Sequence, residues 1–465
     1  MLTDFLTSRI ISELPFTPNE GQRELLDKLS VFLTSRRDNN TFLLRGYAGT
    51  GKTSLMAALV KALNKLRQKT VLLAPTGRAA KVLAAYSGFP AYTIHKQIYR
   101  QKSMGENIFS LSHNSSQDTV FIVDEASMIS NSETDLSAFG TGCLLDDLIQ
   151  YVFSGINCSL ILIGDDAQLP PVGQEDSPAL NEEYLSGYCI NLTSHTLTQV
   201  ARQALESGIL SNATMLRERL QQNDVQSMPA FETEGYNDIC RLSGEELTDE
   251  IERAYREAGV EETMIVTRTN RRMNLYNQGI RARVLWKEEE LTGGDRLMVT
   301  KNNYYWTKQY EGLDFLANGD IFEVIRITHQ REMYGYKFAD ASLRAVDYDW
   351  EIDGTIWIDT LFTNSPDEAY QMQRILFSRI AEDYPEIHSK KELVKTIMDN
   401  PYYNALQIKH AYAVTCHKAQ GGQWKRVFID QGNLSEEQLG TDYYRWLYTA
   451  LTRATEKVFL INFGK

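Results

Sequence analysis

Apolar and polar positions run along this chain in two similar blocks with a different rhythm between them. From Phe16 to about Val172, short apolar runs (Thr41–Arg45, Thr70–Ala74, Val120–Val123, Ser159–Ile163) alternate with amphipathic stretches such as Ser54–Leu66 and Gly77–Tyr86. Near-continuous apolar strands separated by helices predict a parallel sheet covered on both faces. The pattern returns near Ile190, with strands at Met264–Thr267, Ala411–Val414, Val427–Ile429 and Val458–Asn462. Between about Asp320 and Tyr403 it changes. Ile321–Thr328, Tyr334–Phe338 and Thr355–Ile358 are rich in β-formers, and Asp367–Met398 is polar and helix-prone. This predicts a small domain inserted into the second α/β unit. Residues 204–262 are acidic with a helical pattern and read as a solvated face.

Length agrees with several domains, because 465 residues exceed what one hydrophobic core serves. The expected division is 1–185, 186–319, 320–403 as the insertion, and 404–465 completing the second α/β domain. No run of about 18 apolar residues predicts a membrane span, and the first residues lack the order of a secretory signal. Five scattered cysteines form no CxxC pair and read as thiols of a reducing cytosol. The net charge of −13 argues only weakly against nucleic acid, since a strand track needs local basic groups rather than a basic whole.

Gly46-Tyr47-Ala48-Gly49-Thr50-Gly51-Lys52-Thr53 fits GxxxxGK[ST] between a strand and a helix. Such a loop aims backbone N–H groups at phosphate oxygens, with Lys52 reaching the β/γ-phosphates and Thr53 ligating Mg²⁺. Asp124 and Glu125 follow another apolar strand, where Asp124 is the expected Mg²⁺ partner and Glu125 the residue that polarises the attacking water. On its own, such an acid pair is as readily a surface pair. Gln168, in Gly164-Asp165-Asp166-Ala167-Gln168-Leu169-Pro170-Pro171-Val172, is placed to sense the γ-phosphate. These segments point to an NTPase that uses Mg²⁺.

The ordered segments GYAGTGKT, APTGRAAK, TIHK, VDEAS, GDDAQLPPV, QVARQ, VTCHKAQGGQW and YTALTRA resemble superfamily 1 helicases of the Dda-like, RecD-like and Pif-type branch, from about Thr17 to Phe463. The resemblance implies an α/β fold of two RecA-like domains with a small inserted β-barrel of the Src-homology-3 type. It also implies ATP as the nucleotide, driving 5′-to-3′ movement on single-stranded DNA with duplex unwinding. An RNA helicase, a ribonucleoprotein remodeller and an NTPase switch without unwinding stay open as alternatives. Gln22 matches the adenine-reading glutamine, and Arg202 and Arg453 match two arginines sent to the γ-phosphate. Nucleotide contact extends over Gly46, Ala48, Gly49, Thr50, Gly51, Lys52 and Thr53, and to Gly422. Gln423 stands where many members carry glutamate.

Pro75, Thr76, Thr93, His95, Lys96, Asn302, Thr415, His417 and Lys418 match backbone contacts to the strand. Thr76 fits an N-cap equally well, Asn302 a turn, and each histidine a structural role. Tyr304, Tyr305 and Trp306 are either base-stacking or core residues. A wedge hairpin is expected within 99–119, with Phe109 near its middle. The implied partners are single-stranded and forked duplex DNA, with replication or repair proteins. The implied setting is cytoplasmic, and a monomer suffices because both arginines come from one chain.

Overall fold

The computed structural model describes residues 2–463 apart from 36, 102–108, 132–138, 201–205, 312 and 314. The first lobe contains α1 (Leu2–Ser12), α2 (Glu20–Thr34), β1 (Asn40–Gly46), α3 (Lys52–Lys65), β2 (Lys69–Ala74), α4 (Gly77–Ser87), β3 (Ala91–Thr93) and α5 (Ile94–Ile98). It continues with β4 (Tyr99–Gln101), β5 (Phe109–Leu111), β6 (Thr119–Val123), α6 (Leu144–Ser154), β7 (Ser159–Gly164), α7 (Glu182–Ser186) and β8 (Asn191–Leu197). Six strands form a parallel sheet in the order β3-β2-β6-β7-β1-β8. Its central strands are apolar on both sides because each face carries helices. Leu25, Leu29, Leu55 and Leu59 cover one face, and Ile98, Leu145, Leu148 and Val152 the other.

The second lobe begins with α8 (Gly208–Gln221), β9 (Ile239–Leu242), α9 (Leu247–Ala258), β10 (Thr263–Thr267) and α10 (Asn270–Arg283). The chain then leaves it for β11 (Arg296–Val299), β12 (Ile321–Met333), β13 (Tyr336–Ala345), β14 (Glu351–Trp357), α11 (Pro366–Ala381), α12 (Lys390–Met398) and β15 (Leu406–His410). It returns through β16 (Ala413–Thr415), α13 (Cys416–Ala419), β17 (Trp424–Asp430), α14 (Thr441–Leu451) and β18 (Ala454–Ile461). The second sheet, β16-β10-β17-β18-β9, is also parallel, and β11 to β15 close into a barrel. The two α/β lobes and the inserted barrel are therefore present.

Three features differ from the sequence reading. Strand β8 pairs with β1 from Asn40↔Asn191 to Gly46↔Leu197, so the first sheet runs past residue 185. The barrel draws strands from outside 320–403, because closure needs its first and last strands to pair, as Leu297 does with His410. Residues 204–262 are no mere solvated face. Helix α8 buries Ile209, Ala213 and Leu216, β9 edges the second sheet, and α9 buries Ile251 and Ala254. Their acids lie mostly on the outer side, as an amphipathic helix over a sheet requires. Among the described residues, no helix is long and apolar enough to cross a membrane.

Candidate nucleotide and strand sites

The P-loop joins β1 to α3, and its shape depends on two glycines. Gly49 (φ 75°) and Gly51 (φ 87°) take left-handed conformations, and a Cβ on Gly51 would stand 2.8 Å from Gln22 Nε2. Gln22 itself is spent locally. Its Nε2 donates to Thr50 O at 2.9 Å, and its Oε1 accepts from Asn19 N at 3.0 Å in a capping box. It braces the loop from behind and is outside the residues lining the cavity in front.

That cavity, about 380 Å³, lies between the lobes. The first lobe contributes Ala48, Gly49, Gly51, Lys52, Thr53, Asp124, Glu125 and Gln168, and the second contributes Gly421, Gln423 and Arg453. Lys52 Nζ donates to Gly46 O and to Tyr47 O (3.0 Å) and stands 3.7 Å from Asp165 Oδ2. Asp124 accepts from the Tyr86 hydroxyl and, at 2.8 Å, from Glu125 N. Glu125, itself left-handed at φ 52°, directs a carboxylate oxygen to 3.7 Å from Arg453 Nη1. Burial pushes the Glu125 carboxyl up, opposed by the Arg453 charge. Arg453 is 3% exposed, with Nε donating to Thr449 O (3.0 Å) and Nη1 to Gly422 O (3.3 Å). Gln168 is 7% exposed, and its Oε1 is buried without a hydrogen-bond partner. Gly422 lies behind Gly421, where a Cβ would press on the Trp424 ring. Arg202 is outside the described residues.

Several groups here were not singled out by sequence. The Tyr448 hydroxyl, on α14, accepts Ala48 N–H and donates to Asp165 Oδ2, each at 2.8 Å. Thr449 Oγ1 accepts Leu169 N–H at 2.8 Å, and Gln420 Nε2 donates to Leu169 O at 2.7 Å. A buried tyrosine hydroxyl requires a partner, but the sequence does not say which.

A second cavity, about 200 Å³, runs between the lobes and the connection between β11 and β12 of the barrel. Pro75, Thr76, Thr93, His95, Asn302, His417 and Lys418 line it together, from three separate parts of the chain. Lys96 and Thr415 are outside that lining. Thr76 and Thr93 cap α4 and α5, accepting from Ala79 N and Lys96 N, each at 3.2 Å. His95 packs edge-on to Phe139, and burial lowers it to about 4, so its ring is neutral. Lys418 donates to Asn318 Oδ1 at 2.6 Å. Asn302 braces the adjoining turn, accepting from Asn318 N at 2.7 Å and donating to the Tyr304 hydroxyl at 3.3 Å. The neighbouring aromatics are mainly packing groups. Tyr304 joins Phe109, Phe139 and Phe315, while Trp306 packs on the barrel and donates to Asn404 O at 2.8 Å. Within 99–119, β4 pairs antiparallel with β5, and buried Phe109 stands opposite Gln101 at the end of the ladder nearest the tip; the tip lies outside the described residues.

Comparison with known proteins follows this geometry. A family model described as an AAA domain matches residues 17–233, and one described as a UvrD-like helicase C-terminal domain matches 410–461. The chain is 24% identical to the ATP-dependent RecD2 DNA helicase of Deinococcus radiodurans over 95% of its own length and 50% of that protein. It is 22% identical to the ATP-dependent DNA helicase dda of Enterobacteria phage T4, over 95% of this chain and 98% of that one. A solved Pif1 helicase from Bacteroides, in complex with ADP-AlF3 and ssDNA, aligns over 96% of this chain and 93% of that one at 14% identity and a TM-score of 0.45. The two family matches fall on the two lobes that face each other across the nucleotide cavity, and the match to the phage helicase spans nearly the whole of both chains. Together these matches support a superfamily 1 helicase of the Dda-like, RecD-like and Pif-type branch.

Proposed function

We propose that this chain is an ATP-dependent DNA helicase and translocase that couples Mg²⁺-ATP hydrolysis to 5′-to-3′ movement on single-stranded DNA and to unwinding of forked duplex. One observation carries the reading: the same two lobes form both cavities, the nucleotide cavity with Lys52, Glu125 and Arg453 and the strand cavity with Thr76, His95 and Lys418. Closing the lobes on a nucleotide therefore shifts two grips on a strand relative to each other, as stepping requires.

In this mechanism Lys52 turns from Gly46 O and Tyr47 O to the phosphates. Glu125 orients water and accepts its proton, and Arg453 offsets the charge that develops at the γ-phosphate. The unpaired Gln168 Oε1 provides a polar contact to the nucleotide or its water. Arg202 adds a second cation from the segment before α8. The Thr53 hydroxyl and Asp124 are hard oxygen donors on the cavity wall, which suits Mg²⁺. An ion held there would supply charge neutralisation for the phosphates. The chain works as a monomer, with the β4–β5 hairpin as the wedge.

The test is the ATPase rate with and without a short oligo-dT, beside unwinding of 5′-tailed and 3′-tailed duplexes. Stimulation with unwinding of the 5′-tailed substrate alone is expected. No stimulation by DNA, or greater stimulation by RNA, would overturn the DNA reading.

A further inference from the structure

Three domains meet at one arginine beside the strand cavity. Arg78, in the first turn of α4, stacks on the Trp424 ring of the second lobe, 4.3 Å from its centre, and donates to Gln423 O at 3.1 Å. From the barrel, the turn joining β13 to β14 brings in Asp347, whose Oδ1 is 3.7 Å from Arg78 Nη1 and 3.5 Å from Lys81 Nζ. Lys81 also donates to Val346 O at 2.6 Å. The next residue, Tyr348, lies so close over Gly77 that a Cβ there would overlap its hydroxyl.

This contact is incomplete: Asp347 and Arg78 are largely buried, while Lys81 is 52% exposed. The Asp347 side chain is 4% exposed, yet its Oδ1 makes no hydrogen bond, and neither does the buried Arg78 Nε. Buried charges held a little beyond hydrogen-bond range keep their desolvation cost without full compensation. A phosphodiester would satisfy both cations better, since its oxygens accept charge-assisted bonds from Arg and Lys. Arg78 already lines the cavity in which Thr76 and Lys418 stand.

We propose that Arg78 and Lys81 form a backbone-phosphate site of the strand track, and that Asp347 is a carboxylate stand-in that competes with the phosphate for them. The inference rests on the nucleic-acid reading of the cavity. It makes the barrel a sensor of the strand: a phosphate at Arg78 displaces the turn at 346–350, which Tyr348 otherwise seats on Gly77.

The experiment is fluorescence anisotropy of labelled oligo-dT with the full chain, at low and high salt. Asp347→Asn is expected to bind about three- to tenfold more tightly at low salt, with the advantage shrinking as salt screens the site. Asp349→Asn removes the same formal charge from an exposed position on the same turn and is expected to bind as the wild type does. Tyr348→Ala, which frees the turn without altering charge, should also tighten binding. The proposal falls if Asp347→Asn gains nothing, if Asp349→Asn gains as much, or if the gain persists with Arg78 and Lys81 both changed to Gln. A wild-type chain that binds no oligonucleotide would remove the underlying nucleic-acid reading instead.

Discussion

Lys52 lies folded back on the carbonyls of Gly46 and Tyr47, so its charge is held in reserve beside the cavity. Lys52→Ala should abolish ATP hydrolysis and lower the melting temperature somewhat, since it also removes the cation 3.7 Å from the buried Asp165 carboxylate. Retained turnover would overturn the site. Arg453→Ala should lower kcat on the order of 10³-fold and change KM for ATP far less, because the cation acts on charge that develops during reaction. In the strand cavity two groups are tuned in the same sense. Burial lowers Lys418 to about 8 and raises Asp320 to about 7. From pH 6 to 9 Asp320 gains its negative charge and then Lys418 loses its positive one, so both changes disfavour phosphate. Oligo-dT affinity should therefore fall across that window, and Lys418→Arg should flatten its upper half. An unchanged profile in the arginine variant would remove Lys418 from the track.

Among the elements, the β4–β5 hairpin shows how local pattern and tertiary partner divide the work. Its strands are three residues each and would not persist alone. Phe109 secures the tip-side end of the ladder, with ring centres 4.9 Å from Phe139, 5.1 Å from Tyr304 and 5.9 Å from Phe315. Two of those partners come from the connection between β11 and β12 of the barrel, so the hairpin is braced from outside its own lobe. Phe109→Ala should cost about 3–5 kcal/mol locally and reduce unwinding far more than DNA-stimulated ATPase. Equal loss of both activities would argue against a wedge. Helices α8 and α9 make a similar point. Acids dominate α9 but not α8, and in both the few apolar positions decide that they pack on the second lobe.

Across the whole molecule, the lobes are joined at the nucleotide cavity by hydrogen bonds from α13–α14 and the loop after α13 to the P-loop and the segment after β7. Tyr448 holds Ala48 N–H and Asp165, while Thr449 and Gln420 hold the two backbone groups of Leu169. Tyr448→Phe leaves a buried N–H and a buried carboxylate without that partner, at a cost of about 1–3 kcal/mol. Hydrogen exchange at the Ala48 amide should rise accordingly. An amide exchanging at the wild-type rate would show that the lobes are held together elsewhere.

The chain's own pattern determined the two parallel sheets, the P-loop, Asp124 and Glu125, and the order of segments that marks the family. Each of these is encoded locally, in the alternation of apolar runs or in residues contiguous along the chain. Other features depended on pairing between distant segments. Strand β8 belongs to the first sheet because β1 offers it an edge, and the barrel reaches back to Arg296 because closure requires it. Gln22 faces the P-loop backbone because its capping box turns it there. Tyr448 and Asp347 acquire their partners only when the lobes and barrel meet, and Tyr86 meets Asp124 only when α4 packs beside β6 within the first lobe. Hydroxyl and carboxylate groups look alike in sequence wherever they fall; only tertiary contact decides which of them burial forces into a partnership.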